Sequence, residues 1–329
     1  MKKLLISMLA VATLASCAKE ETLSFDKGEA IQFGNAFVDN STRAAKDPSY
    51  GENGQDLTKF QVWGTVNGGN GLVAIYDGDD VEGKVGSTTV GDKTTPNVWT
   101  CDVKQYWIND AIYNFAALVN APIVDDEFAV DLTAGLPTKV NGFFADGETD
   151  LLYSRSAVNI KGKASGNDLV NFTFDHLLSK VKFTVINESV DAEDYSFEVT
   201  GISITGNSKG DVTLADKKWD NLSTSKTYSV AKITVDADET EKTHTAECAQ
   251  ELLLIPGKFN IAFTVDIYNG TTKLGTQSYP ISPAVYEYTL AQGCSYNFVI
   301  KVKVGEEIKF SVINEPSWTP ATGGTEITI

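Results

Sequence analysis

Residues 170–187, VNFTFDHLLSKVKFTVIN, decide the fold. Val170, Phe172 and Phe174 alternate with Asn171 and Thr173, the two-residue period of a strand with one buried face. Residues 175–179 interrupt the alternation, which resumes with opposite parity: Val181, Phe183 and Val185 turn inward, while Lys180, Lys182 and Thr184 face water. Two amphipathic strands joined by a short break predict the opening of a β-sandwich domain. No helix-period stretch of comparable strength lies outside the N-terminus. His176 sits in the break beside Asp175 and reads as a hydrogen-bonded structural residue rather than a base, since the chain offers few catalytic partners.

The same rhythm extends in both directions. Upstream, residues 30–38 (AIQFGNAFV) place Ile31, Phe33 and Phe37 on one side of a strand. Residues 39–54, rich in Asp, Asn, Ser, Thr and Gly, read as an exposed linker carrying Arg43 and Ala44. Residues 57–66 and 72–76 are further strands, the first with Phe60, Val62 and Gly64 alternating against Gln61 and Trp63. The long Gly/Asp/Thr-rich excursion 77–95 opens on Asp77-Gly-Asp-Asp80, which lacks the remaining ligands of a calcium loop and reads as a solvated turn. Residues 98–118 hold the densest aromatic segment, Trp99, Tyr106, Trp107, Tyr113 and Phe115, at a spacing that favours a sandwich core over a sugar-stacking face. The linker KGKASGND at 161–168 marks a domain boundary. Beyond it, short strands recur to the terminal TEITI, where Ile327 and Ile329 share a face.

Bulk properties narrow the function. A chain of 329 residues suits two domains, and 42% apolar residues can fill two cores. A net charge of −17 argues against nucleic acid, whose counterions only a basic surface displaces. Two histidines, His176 and His244, and no Cys-x-x-Cys pair leave little material for a zinc site or a His-based triad, so no metal or cofactor is expected. No nucleophile elbow, phosphate loop or dinucleotide fingerprint occurs, and the chain reads as a non-enzyme.

The N-terminus is an address. Lys2 and Lys3 precede the apolar run 4–15, too short to span a bilayer, and the run ends Leu14-Ala15-Ser16-Cys17. This resembles the bacterial lipobox, which implies a signal peptide over 1–16, acylation of Cys17 and anchoring in a bacterial envelope. Cys101, Cys248 and Cys294 remain; an odd set leaves at least one thiol unpaired, and buried free thiols are the expectation.

Several stretches together resemble the fimbrillin family, the subunits of type V pili. They are the lipobox, Ala30-Ile-Gln-Phe33 ahead of Ser41-Thr-Arg43-Ala44, Phe60-Gln-Val-Trp-Gly-Thr65, and Trp107 with Tyr113-Asn-Phe115. Thr149-Asp-Leu-Leu-Tyr-Ser154, the terminal Ile308-Lys-Phe310 with Trp318, and above all Phe172-Thr-Phe-Asp-His-Leu-Leu-Ser-Lys-Val181 complete the set. The resemblance implies an all-β protein of two transthyretin-like β-sandwich domains in tandem. It implies a propeptide over 17–43, an N-terminal domain over 44–165 and a C-terminal domain over 166–329. It implies export as a lipoprotein to the outer membrane, with Cys17 acylated and an arginine-specific protease cutting between Arg43 and Ala44. The strand holding Ile31, Phe33 and Phe37 would leave, and a terminal strand such as that of Ile327 and Ile329 would replace it in a neighbour. The expected partners are other pilus subunits, the outer membrane before processing, and a host or bacterial surface receptor. A second reading is a non-polymerising surface lipoprotein, either a pilus tip or anchor or a monomer binding glycan through its aromatic segment; glycan binding requires Trp99, Trp107 and Trp318 to be exposed.

Overall fold

The computed structural model describes residues 28–38, 57–69, 71–84, 88–90, 93–95, 98–189, 194–237, 244–280, 288–305, 309–314, 319–320 and 326–328. Among them there are strands and turns and no α-helix. The chain opens with β1 (Phe33–Val38), β2 (Lys59–Asn67) and β3 (Leu72–Lys84), then a small hairpin of β4 (Thr88–Val90) and β5 (Lys93–Thr95). β6 (Val98–Cys101) and β7 (Ile112–Val119) follow, with a second small hairpin of β8 (Ile123–Val124) and β9 (Glu127–Phe128). Next come β10 (Val130–Thr133), β11 (Leu136–Phe144), β12 (Leu152–Ser154), β13 (Ile160–Lys161) and β14 (Val170–His176).

The first sheet runs β12-β14-β1-β6-β3-β2-β7-β13, and β12 also pairs with β7. That extra pairing closes the strands β12, β14, β1, β6, β3, β2 and β7 into a circuit, so the two layers of the sandwich are joined at both margins. Closure removes edges that would otherwise present unpaired backbone groups. Phe60, Tyr113, Phe115, Phe172 and Phe174, each no more than 0–1% exposed, fill its interior. Burial of each such side chain contributes on the order of 1.5–3 kcal/mol.

The second half carries β15 (Ser179–Asn187), β16 (Tyr195–Thr213), β17 (Lys218–Ser229), β18 (Ile233–Val235), β19 (His244–Glu247), β20 (Leu252–Leu254) and β21 (Gly257–Asn269). After these come β22 (Thr272–Pro280), β23 (Tyr288–Leu290), β24 (Cys294–Val302), β25 (Lys309–Asn314), β26 (Thr319–Pro320) and β27 (Glu326–Thr328). One sheet runs β10-β11-β16-β21-β22, with β17 and β18 on β16 and β23 on β21. The other runs β19-β15-β24-β25-β27, with β20 on β15 and β26 on β24. Val181, Phe183 and Val185 of β15 meet Phe197, Val199 and Ile204 of β16 in the core between them. The expected inward parity of residues 181–185 therefore holds.

Three sequence expectations change. The linker at 161–168 does not separate the sheets, because β14, beyond it, hydrogen-bonds to β12 and β1. The crossing falls instead at Leu177 and Leu178, both fully buried. Conversely β11 precedes that linker yet pairs with β16 in the second half, Lys139 opposite Thr213 and Val140 opposite Val212. Finally, Lys180 and Thr184 do not face water: Lys180 is 1% exposed with its ammonium 3.9 Å from Glu251, and Thr184 donates to Asn297. Trp63 of β2 is likewise buried against Ala116, Leu118, Leu177 and Leu178 in a third core, where the two halves meet.

Candidate functional site

β1 lies in the circuit between β14 and β6. Its seat is built from two directions. On one side Trp107 N–H donates to the Glu29 carbonyl at 2.9 Å, and Ile31 N–H donates to the Gln105 carbonyl at 2.8 Å. Ala30 forms an isolated antiparallel bridge with Tyr106. On the other side Val170 N–H donates to the Gln32 carbonyl at 2.9 Å, and the strand then runs parallel to β14. Against β6 the register has a single pair, Phe33 with Trp99.

Phe33 is the plug. Its ring lies 5.5 Å from Tyr76, 6.2 Å from Phe172, 6.3 Å from Phe60 and 6.5 Å from Phe115, four aromatic partners around one side chain. Ile31 is buried beside it. The backbone register shifts between Phe33 and Ala36, with Ala36 opposite Phe172, Phe37 opposite Thr173 and Val38 opposite Phe174.

Gly34 occupies the shifted position for a steric reason. A Cβ there would lie 2.8 Å from Leu169 Cβ and 2.3 Å from Asn171 Oδ1. The approach of β1 to the start of β14 leaves room for hydrogen only. At the segment's entrance, Asn167 donates to Glu29 Oε2 from its backbone N–H at 2.8 Å and its side-chain amide at 3.0 Å. Those two donors hold the Glu29 carboxyl below its ordinary value. Beside the segment opens a cleft of about 410 Å³, lined by Ala30–Phe33 on the β1 side and by Trp99, Val103, Lys104 and Leu169 among the residues facing it.

The other predicted site residues fall as follows. Cys17, Arg43, Ala44, Ile329 and Trp318 lie outside the described residues. Ile327 is in β27, opposite Phe310 of β25. Cys248 and Cys294 are buried free thiols, and Cys101 is a half-buried one. Burial pushes the Cys101 and Cys294 thiols up, away from reactivity. His176 pairs with Asp150, Nδ1 to Oδ2 at 2.5 Å, rather than with its neighbour Asp175, and the pair is sealed between the halves at 5% and 1% exposure. His244 lies in β19 opposite Asn187. Asp77–Asp80 is not a turn but the middle of β3, and Asp80 pairs with Lys59 at 2.7 Å and Gln61 at 3.2 Å. Trp99 and Trp107 are buried core residues, which withdraws both from the stacking platform that glycan binding requires. Tyr106 alone of the aromatic segment reaches the surface among the described residues.

Comparison with known proteins decides the family. Residues 42–316 match a family model described as fimbrillin-like. The chain belongs to the fimbrillin-like family. No curated protein matches the sequence. Among solved structures, this fimbrillin-like chain is similar to a fimbrial protein from Bacteroides vulgatus, at 15% identity and a TM-score of 0.55, over 86% of this chain and 98% of that one. A proposed cell-adhesion protein from Bacteroides ovatus gives 12% identity and a TM-score of 0.50 over 88% and 96%. At these identities the likeness is one of fold. The features that alternation did not reveal are the bulge at Gly34, the Glu29 contact with Asn167 and the cleft. Only the Phe33-Gly34 dipeptide carried a signal for them, a glycine inside a strand.

Proposed function

We propose that this fimbrillin-like chain is a structural, non-catalytic subunit of a cell-surface filament, assembled by replacing β1 with a strand from a neighbour. The observation that carries the reading is that β1 completes the first circuit between β14 and β6 and seats Phe33 among four aromatic rings of the body. Arg43 stands in the stretch between β1 and β2, so one cut there severs the strand from the body. Departure of the strand leaves open edges on β14 and β6 and an empty seat among Phe60, Tyr76, Phe115 and Phe172. Unpaired backbone groups and an apolar groove are costly until another strand fills both. Ile327 and Ile329 supply alternate apolar residues for that purpose. One groove and one tail per subunit, used head to tail, extend without closing, which makes a filament.

In the same proposal residues 1–16 are the signal peptide and Cys17 is acylated. The lipid holds the precursor at the outer membrane until the bond between Arg43 and Ala44 is cut. The chain divides into a first sandwich and a second that also recruits β10 and β11. Adhesion and biofilm formation are the functions such a filament serves, with other subunits as its partners.

Limited digestion of lipid-free precursor by an arginine-specific protease tests this. We expect a new N-terminus at Ala44, an intact body, and ladders of high-mass species on native size analysis. Resistance at Arg43, or a clean cut whose product stays monomeric after the released segment is removed, overturns the polymerising role.

A further inference from the structure

We infer that the cleft beside β1 is the entry site at which an incoming strand from a second copy of this chain docks before β1 leaves. The inference rests on the strand-replacement reading and specifies its order of events. The cleft has two walls of different fate. Ala30–Phe33 belong to the segment that departs, whereas Thr100, Cys101, Val103, Lys104 and Leu169 stay. A guest held by the second wall is therefore already in place when the first withdraws. The apolar rim is open to such a guest: Val103 is 37% exposed and Leu169 49%. Trp99 also lines the cleft, and its indole N–H is buried with no acceptor among the described residues.

The terminal strand fits this position on three counts. Among the described residues β27 ends the strand order of its own sheet and pairs with β25 alone, through Lys309, Phe310 and Ser311. Three residue pairs are therefore what its own sheet gives up when it leaves. Ile327 and Ile329 repeat the two-residue spacing of Ile31 and Phe33, the side chains seated next to the cleft. Glu326 is the charge on the terminal TEITI, and Lys104 is the charged residue of the cleft lining, so the pair is complementary.

The order of events has a kinetic signature. If docking precedes departure, the observed exchange rate rises with the concentration of incoming strand. If β1 must fall out first, the rate is set by its dissociation and is independent of that concentration. The experiment uses the mature chain cut at Arg43 with its released segment still bound, and a fluorescent peptide of residues 319–329. Expected for the wild type is a rate that climbs in proportion to peptide. Val103→Trp, which fills the cleft from an exposed position, is expected to slow exchange at least tenfold without changing the final bound fraction. Lys104→Glu is expected to slow it severalfold, and a peptide carrying Glu326→Lys to restore the rate. A concentration-independent rate, or Val103→Trp exchanging as fast as wild type, overturns the entry site while leaving strand replacement standing. Segment release on warming with no peptide uptake at any concentration overturns both.

Discussion

At the scale of single residues, the seat of β1 depends on one large side chain and one missing one. Phe33 touches four aromatic rings and is 6% exposed. Phe33→Ala should therefore destabilise the precursor by roughly 3–5 kcal/mol, the range for truncating a buried aromatic. Urea denaturation of the uncut protein measures it. The same substitution should leave the heat resistance of assembled filaments unchanged, because the residue has by then departed; a parallel loss in the filament would mean that Phe33 never leaves. Gly34 works in the opposite sense. Gly34→Val places a branched side chain where Leu169 and Asn171 already crowd a Cβ. Overpacking of this kind costs about 1–3 kcal/mol. The Asn171 side chain is exposed and can swing aside, whereas Leu169 Cβ is fixed to the backbone. Asn171→Gly in the Gly34→Val background should accordingly recover only part of the stability, and full recovery would show that the backbone contact is unimportant.

At the scale of elements, β1 is held at its entrance by an electrostatic contact as well as by packing. Asn167 lowers the Glu29 carboxyl from its ordinary value of 4.5 in the attached strand. A group whose attached pKa lies below its free value strengthens attachment fully above the free value, and that contribution disappears as pH falls through the attached one. Release of the cut segment should thus accelerate as pH drops below 4.5, and Glu29→Gln should remove the part of that acceleration due to this contact. Segment release followed by size exclusion at stepped pH checks it; an identical pH profile in the variant would discount the contact. These elements also show what alternation along a sequence can and cannot reveal. The period of two at 170–174 and 181–185 identifies strands and their core faces, because each side chain there follows its own backbone direction. It fails at Trp63 and Lys180, where both faces of a strand are covered. The linker at 161–168 has the composition of a turn, and composition reports local solvent exposure rather than which sheet the next strand joins. Membership of β11 and β14 is fixed by partners that are distant in sequence. The apolar strand of Ile31 and Phe33 was legible from its alternation, whereas the cleft beside it depends on residues 102–104, whose course no periodicity encodes.

At the scale of the whole molecule, the two halves share a core and exchange elements, and this determines how far the loss of β1 can spread. Leu177 and Leu178 pack with Trp63, Leu118, Leu151 and Leu253 between the halves. The crossing is pinned by Trp219 N–H donating to the Leu177 carbonyl and Gly293 N–H donating to that of Leu178, both at 2.8 Å. Strand loss opens β14 and β6, which pair directly with β1, but touches none of these contacts. The β10–β11 hairpin is the discriminating element. It belongs to the N-terminal half by sequence and to the sheet of β16 by hydrogen bonding. Local opening follows cooperative structural units rather than chain order. Hydrogen exchange on the cut protein, freed of its segment and kept from polymerising by dilution, should show protection falling at β6 and β14 as the circuit frays. Amides of β11 should keep the protection of β16, along with the rest of the second sandwich. If β11 instead exchanges in step with β6, the junction core does not isolate the groove, and emptying it would unfold the subunit before a neighbour's strand could arrive. Preserved β11 protection would describe a subunit whose second sandwich acts as a rigid platform, on which the first can open and wait.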